Sequence, residues 1–104
     1  MIEEIFEHAA DEAPRECCGL VIEDGDNKKY IRMENISPQE DEFMMDAKTF
    51  VKYQLTSKIK YVVHSHYGSN CHPSEHDKNV CKSLGVPYLI VSYPEKGEFI
   101  YDPH

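Results

Sequence analysis

The sequence predicts a single α/β (α+β) domain, a mixed β-sheet sandwiched by helices. Three observations carry that expectation. A helix-period stretch opens the chain, compact apolar runs of strand length follow, and helical segments alternate with the later ones in the order α-β-β-β-α-β-α-β-β. At 104 residues the chain has the length of one domain, 1–104, with no room for a second. It can hide roughly two thirds of its unfolded surface, enough for one core.

Each element has a local cause. In residues 2–13, Ile2, Ile5, Phe6, Ala9 and Ala10 recur at helical spacing, with Glu3, Glu4, Glu7, Asp11 and Glu12 on the other face. Acids near the N-terminus suit the helix dipole, Pro14 stops the helix, and His8 is expected on its solvent side. Cys17 to Ile22 is an apolar strand in which Gly19 marks a close backbone approach or a bulge. Asp24-Gly25-Asp26-Asn27 then turns the chain back into a second strand, Lys28 to Ile36. Pro38 to Asp41 is a polar loop and Glu42 to Met45 a short strand. Asp46 caps a helix over about Ala47 to Ser57, with Phe50, Val51, Gln54 and Leu55 on adjoining faces. A strand from Ile59 to His66 follows. The helix from Ser74 ends at Gly85, a good left-handed terminator, with Pro87 beyond it. Tyr88 to Tyr93 is the most continuous apolar run, hence a central strand buried on both faces. Pro94-Glu95-Lys96-Gly97 turns it into an antiparallel return strand, Glu98 to Tyr101.

Composition narrows the partners. The net charge of −8 argues against nucleic acid or an anionic membrane surface, and favours substrates of cationic or amide character. No apolar run reaches transmembrane length and Met1-Ile2-Glu3-Glu4 is no signal peptide, so the chain is expected to be cytoplasmic as synthesised. The cysteines Cys17, Cys18, Cys71 and Cys81 form no CxxC pair, and buried free thiols are the expectation, with Cys81 facing the core. Cys71 alone lies where it could become an accidental metal ligand or an oxidation site.

Chemistry concentrates in Lys60 to Asp77, KYVVHSHYGSNCHPSEHD. Side chains alternate along a strand, so His64 and His66 share one face at the strand's C-terminal end. Gly68, Ser69 and Asn70 make a loop, Pro73-Ser74 opens the next helix, and Asp77 falls in its first turn. Two imidazoles and one carboxylate are the ligand count of a catalytic zinc site with the fourth position left for water. Ser74 and Asp77 have a structural account as well, a capping box. Hydrolysis at such a site needs a general base, for which His72, Glu75, His76 or any acid brought near by the fold would serve. By local sequence alone Glu16, in Pro14-Arg15-Glu16-Cys17-Cys18, reads as an exposed turn glutamate.

Glu16, then His64-x-His66, seven residues, Ser74, two residues and Asp77 reproduce the pattern E…H-x-H-x(7)-S-x(2)-D. This resembles the JAMM signature of the MPN (JAB1/Mov34/PAD-1) zinc metalloproteases, and the likeness runs from the opening helix to YLIVSYPEKGEF. The phrases HAADEAPRECCGLVI, PSEHD and IVSYPE look closest to the N-terminal domain of lambda-type phage tail assembly proteins, where an NlpC/P60 cysteine-peptidase domain commonly follows. The resemblance implies a cytidine-deaminase-like JAB/MPN fold and peptide or isopeptide hydrolysis. It implies Zn2+ held by His64, His66 and Asp77, Glu16 as general acid/base, and Ser74 polarising the scissile carbonyl. The implied substrate is a peptide or protein, either a tail protein under processing or a cell-wall peptide. The implied partners are other tail proteins or a separate NlpC/P60 peptidase, and the implied location is the virion tail.

Tyr67 stands where the family usually has proline after the second histidine, which touches no ligand. There is no length for ubiquitin-gripping insertions, so ubiquitin is not the expected substrate. His72 and His76 are expected to face solvent or stand behind the ligands. The competing reading is an MPN-fold assembly or binding domain in which zinc is structural and nothing turns over. Zinc-dependent deamination would require H-x-E and P-C-x-x-C motifs, which this sequence lacks.

Overall fold

The computed structural model describes residues 1–104. Three helices and five strands follow in the order α1 (Ile2–Glu12), β1 (Cys18–Asp24), β2 (Asn27–Met33), α2 (Ala47–Thr56), β3 (Lys58–Tyr67), α3 (Glu75–Leu84), β4 (Tyr88–Tyr93) and β5 (Glu98–Tyr101). They build one sheet with strand order β2-β1-β3-β4-β5. Only β3 and β4 run parallel, joined through α3, and the other pairs are antiparallel. The expected mixed sheet is present. Its middle strand is β3, and the apolar run of β4 lies next to it, between β3 and β5.

Strand alternation divides the apolar residues between two layers. On one face Ile5 and Ala9 of α1 pack on Val21, Tyr30, Val63, Leu89 and Val91. On the other, Cys81 of α3 joins Leu20, Ile22, Val62, Tyr88 and Ile90, with Phe50 and Tyr53 of α2 partly buried beside them. Each fully buried aliphatic side chain contributes about 1.5–3 kcal/mol, so a charge at Ile5 or Val62 would remove one layer's anchor. All four cysteines are free thiols, and three are buried. Gly19 is required by a close approach, since a Cβ there would meet the Tyr30 ring at 2.4 to 2.5 Å.

The structure departs from the sequence reading in four places. His8 is buried, 2 % exposed, because its Nδ1 sits 2.7 Å from the Tyr30 hydroxyl and the pair satisfies each other under α1. The second strand stops at Met33 rather than Ile36. Beyond it Asn35 is buried and takes the backbone partners that a sheet neighbour would otherwise supply. Glu42 to Met45 is consequently extended chain without strand pairing, tied back by the Ile36 amide donating to the Met44 carbonyl at 2.8 Å. Helix α2 turns Phe50 and Tyr53 toward the core without burying any residue fully, and leaves Leu55, one of its expected apolar set, 81 % exposed.

Candidate metal centre

Register brings the signature residues to one end of the sheet. Cys18 of β1 pairs antiparallel with His64 of β3, so Glu16, two residues before Cys18, arrives beside His66, two residues after His64. Ser65, on the opposite face from the histidines, fixes this approach. Its Oγ accepts the Cys17 amide at 2.8 Å, and its own amide donates to the Cys17 carbonyl at 3.1 Å. The parallel crossover from β3 through α3 to β4 brings the N-terminus of α3 over the same strand ends, the usual position of sites in open α/β sheets.

There Ser74 and Asp77 form a full capping box. The Asp77 amide donates to Ser74 Oγ at 3.1 Å, and the Ser74 amide donates to Asp77 Oδ2 at 3.0 Å. The box fixes the carboxylate. His64 Nε2 lies 3.2 Å from Asp77 Oδ1, His66 Nε2 lies 3.1 Å from Asp77 Oδ2, and the two Nε2 atoms are 3.3 Å apart. Ligands about 2.0–2.1 Å from a tetrahedral zinc stand about 3.3–3.4 Å from one another, so this set fits such an ion. His66 Nδ1 lies 2.8 Å from the Asn70 carbonyl; donating its proton there leaves Nε2 as the lone-pair atom, the orientation metal-binding imidazoles take. His64 is held by packing instead, stacked on Phe43 at 4.5 Å and edge-on to Tyr88 at 5.2 Å.

Glu16 is the further carboxylate. One of its oxygens lies within 4.8 Å of nitrogens of His64 and His66. Asp77 approaches the same nitrogens more closely, at 3.1 to 3.2 Å, and Glu16 stands one step back, near enough to belong to the same group of possible ligands. Contrary to the bland sequence expectation, Glu16 is only 6 % exposed. Burial pushes its carboxyl up to about 8, the charges of Asp77, Asp41 and Glu42 add to that rise, and His66 opposes it. For Asp77 burial acts upward, but hydrogen bonds from His64 and His66 hold the carboxyl far below the usual range. Burial lowers His64. For His66 burial is outweighed by Asp77 and the Asn70 carbonyl, which raise it.

Glu16 is placed by a residue that sequence patterning passes over. Asn35 Nδ2 donates to the carbonyls of Glu16 at 2.9 Å and Glu42 at 3.0 Å, and its Oδ1 accepts the amides of Ser37 and Met44, both at 3.0 Å. Arg15 donates to the Asn35 and Ser37 carbonyls, closing the same loop. A polar side chain at a strand end leaves only a weak sequence signal, and nothing local ties it to Glu16.

The result is a cleft of about 590 Å3 lined by Glu16, His66, Ser74 and Asp77, with Glu40, Asp41 and Glu42 on its rim. His76 lines it and is exposed, while His72 is exposed with its ring 4.8 Å from Phe99, so the extra imidazoles stand outside the donor set. Cys71 is half-buried beside Gly97 and does not join the donor group. The site unites Glu16, His64, His66, Ser74 and Asp77. Chemically it combines two imidazoles and a carboxylate spaced to suit a cation, a buried carboxyl able to exchange a proton, and a hydroxyl at the mouth.

Comparison with known proteins gives this arrangement relatives. A family model described as prokaryotic homologs of the JAB domain matches residues 1–101. The tail tip assembly protein K of Escherichia phage N15 is 36% identical over 95 residues, 90% of this chain. The match covers 39% of that relative's length. Among solved structures, a JAB1/MPN domain protein from Archaeoglobus fulgidus superposes with a TM-score of 0.70 at 25% identity, covering 98% of this chain and 83% of its own. A structure described as a metalloprotease-like zinc site in the proteasome and signalosome superposes with a TM-score of 0.59 at 26% identity, covering 98% and 81%.

Proposed function

The chain belongs to the prokaryotic homologues of the JAB domain, and we propose that it is a zinc-dependent metallopeptidase hydrolysing peptide or isopeptide bonds, with residues 1–104 acting as one JAB/MPN unit. The observation that carries the reading is the convergence of His64 Nε2, His66 Nε2 and the Asp77 carboxylate at 3.1 to 3.3 Å, with buried Glu16 beside them. His64, His66 and Asp77 hold the ion. Bound Zn2+ supplies Lewis acidity, polarising a carbonyl and lowering the pKa of water into the neutral range.

The chain's own residues do the rest. Glu16 accepts a proton from the attacking water as the oxygen–carbon bond forms, and returns it to the amine as the carbon–nitrogen bond breaks. A cation held by His64, His66 and Asp77 would favour the Glu16 carboxylate and so oppose the upward push of burial on that carboxyl. Ser74 Oγ already accepts the Asp77 amide, which leaves its hydroxyl proton free to donate to the developing oxyanion. Capping and catalysis use different sides of one oxygen. Phe43 and Tyr88 keep His64 in its dry pocket, where the charges interact most strongly.

The likeness to a tail tip assembly protein supports a phage or prophage tail as the setting. There the substrate is a tail protein under processing or a cell-wall peptide, and the partners are other tail proteins or a separate NlpC/P60 peptidase. The acidic rim of Glu40, Asp41 and Glu42 suits neutral or cationic peptides, and repels nucleic acid and anionic membranes. No helix is long and apolar enough to cross a membrane. The test is turnover of peptide and isopeptide substrates by zinc-loaded protein. Loss on chelation and in Glu16→Ala is expected; turnover that survives either sinks the mechanism. Zinc binding with a rise in melting temperature and no turnover would make this an assembly domain with structural zinc.

A further inference from the structure

A second pocket, of about 340 Å3, opens beside the metal cleft between the extended segment before α2, α2 itself and α3. Val62 and Tyr88 form its sheet-side lining, Phe43 and Phe50 contribute one wall, and Val80 and Leu84 the other. It differs from the metal cleft in kind, being lined almost wholly by apolar side chains. His76 and Asp77 belong to both, so the pocket continues directly from the triad. Phe43 makes a second link, stacking on His64 while lining the pocket.

We propose that this pocket is a specificity subsite that takes a large aliphatic or aromatic side chain of the peptide substrate, next to the bond that is cleaved. The inference rests on the peptidase reading. Its basis is position: Asp77 is at once a ligand of the proposed ion and part of the pocket's wall, so a peptide whose carbonyl reaches the triad has a neighbouring side chain at the pocket mouth. Volume agrees with that occupant. The pocket lies at the lower end of the range for small-ligand sites, about 300–1,000 Å3, enough for a side chain and too little for a helix. Charge divides the labour, with carboxylates on the cleft rim and none but Asp77 in the pocket, so the subsite selects apolar side chains and rejects charged ones.

The experiment has two readouts on zinc-loaded full chain. The first is cleavage of acetylated, amidated peptides that differ only at the residues flanking the scissile bond. Leucine or phenylalanine on one side is expected to raise kcat/KM by about tenfold over alanine, the scale of apolar-pocket discrimination. Val80→Phe fills the pocket and is expected to abolish that preference through KM, with zinc content unchanged. Leu84→Lys, at a half-exposed edge, is expected to act in the same direction without threatening the fold. Cleavage with no apolar preference, or a preference that Val80→Phe leaves intact, overturns the subsite. The second readout is heteronuclear NMR on adding the leucine and lysine peptides. Saturable shifts at the Phe50, Val80 and Leu84 amides with leucine but not lysine support the subsite even where nothing is cleaved, an outcome that defeats only the peptidase reading. No shifts, or shifts that depend on protein concentration alone because a second copy covers this face, overturn it.

Discussion

Replacing Asn35 with alanine removes four hydrogen bonds at once, and the structure says what each loss costs. The bonds to the Glu16 carbonyl and from the Ser37 amide are buried, while those to the Glu42 carbonyl and from the Met44 amide are only partly so. Water can replace Asn35 at the second pair. The first pair is left without partners, at about 1–3 kcal/mol each, so the substitution should cost about 2–6 kcal/mol. Asn35→Asp has the same shape yet should cost a similar amount, because a carboxylate can only accept and would face the carbonyls of Glu16 and Glu42. The assay is urea unfolding followed by far-UV circular dichroism. With a slope of about 1.5 kcal/mol/M, a loss of 3 kcal/mol lowers the midpoint by about 2 M with the slope unchanged. A midpoint within about 0.3 M of wild type for either variant would refute the claim that this residue ties Glu16 and the 42–44 segment together.

Glu16→Gln should stabilise the metal-free protein at neutral and mildly alkaline pH by on the order of 1–4 kcal/mol while abolishing turnover. The sign follows from a carboxyl raised from 4.5 to about 8: the folded state holds the proton more tightly, so wild-type stability falls as pH rises through that window, and melting curves at pH 5 and 8 measure it. His8, lowered by burial from 6.5, has the opposite sense: its contribution is present above 6.5 and lost as pH falls below it. The stability gap between wild type and His8→Phe should therefore narrow between pH 7 and pH 5, and a gap that widens contradicts the burial of a neutral ring. Ser74→Asn should separate capping from catalysis, keeping stability within about 0.5 kcal/mol because Asn caps as well as Ser. The same variant should lower kcat by about tenfold or more through loss of the hydroxyl, and unchanged kcat would confine Ser74 to the helix end.

What the sequence makes legible here is local. His64 and His66 share a face because strands alternate, and Ser74 and Asp77 are locked by the first-turn spacing of a capping box. Gly85 ends α3 in the left-handed region, with φ of 71°, as its lack of a Cβ allows. What stays hidden depends on distant pairs. Glu16, which the family resemblance singles out but its own neighbours in sequence do not, reaches the histidines only through the β1–β3 register. His8 is buried because Tyr30 comes to it across the fold, and Tyr30 can lie there because Gly19 leaves room. The Glu42–Met45 segment has strand-like residues, but Asn35 supplies its hydrogen bonds, so propensity loses to a single buried amide. The apolar residues of α2 divide in the same way, with Phe50 packed on the core while Val51 and Leu55 stay exposed, because helical spacing marks a stripe without guaranteeing that all of it is covered.

The proposed mechanism requires His64, His66 and Asp77 to bind one metal ion together. Elemental analysis of purified protein, repeated on His66→Ala and Asp77→Ala after equal exposure to zinc, decides whether they do. His66→Ala leaves the α3 cap untouched, so its result is free of helix destabilisation. One zinc per chain is expected in wild type and its loss in both variants, since removing one of three protein ligands opens the site. Wild type that takes up no zinc, or zinc retained in both variants, would contradict it.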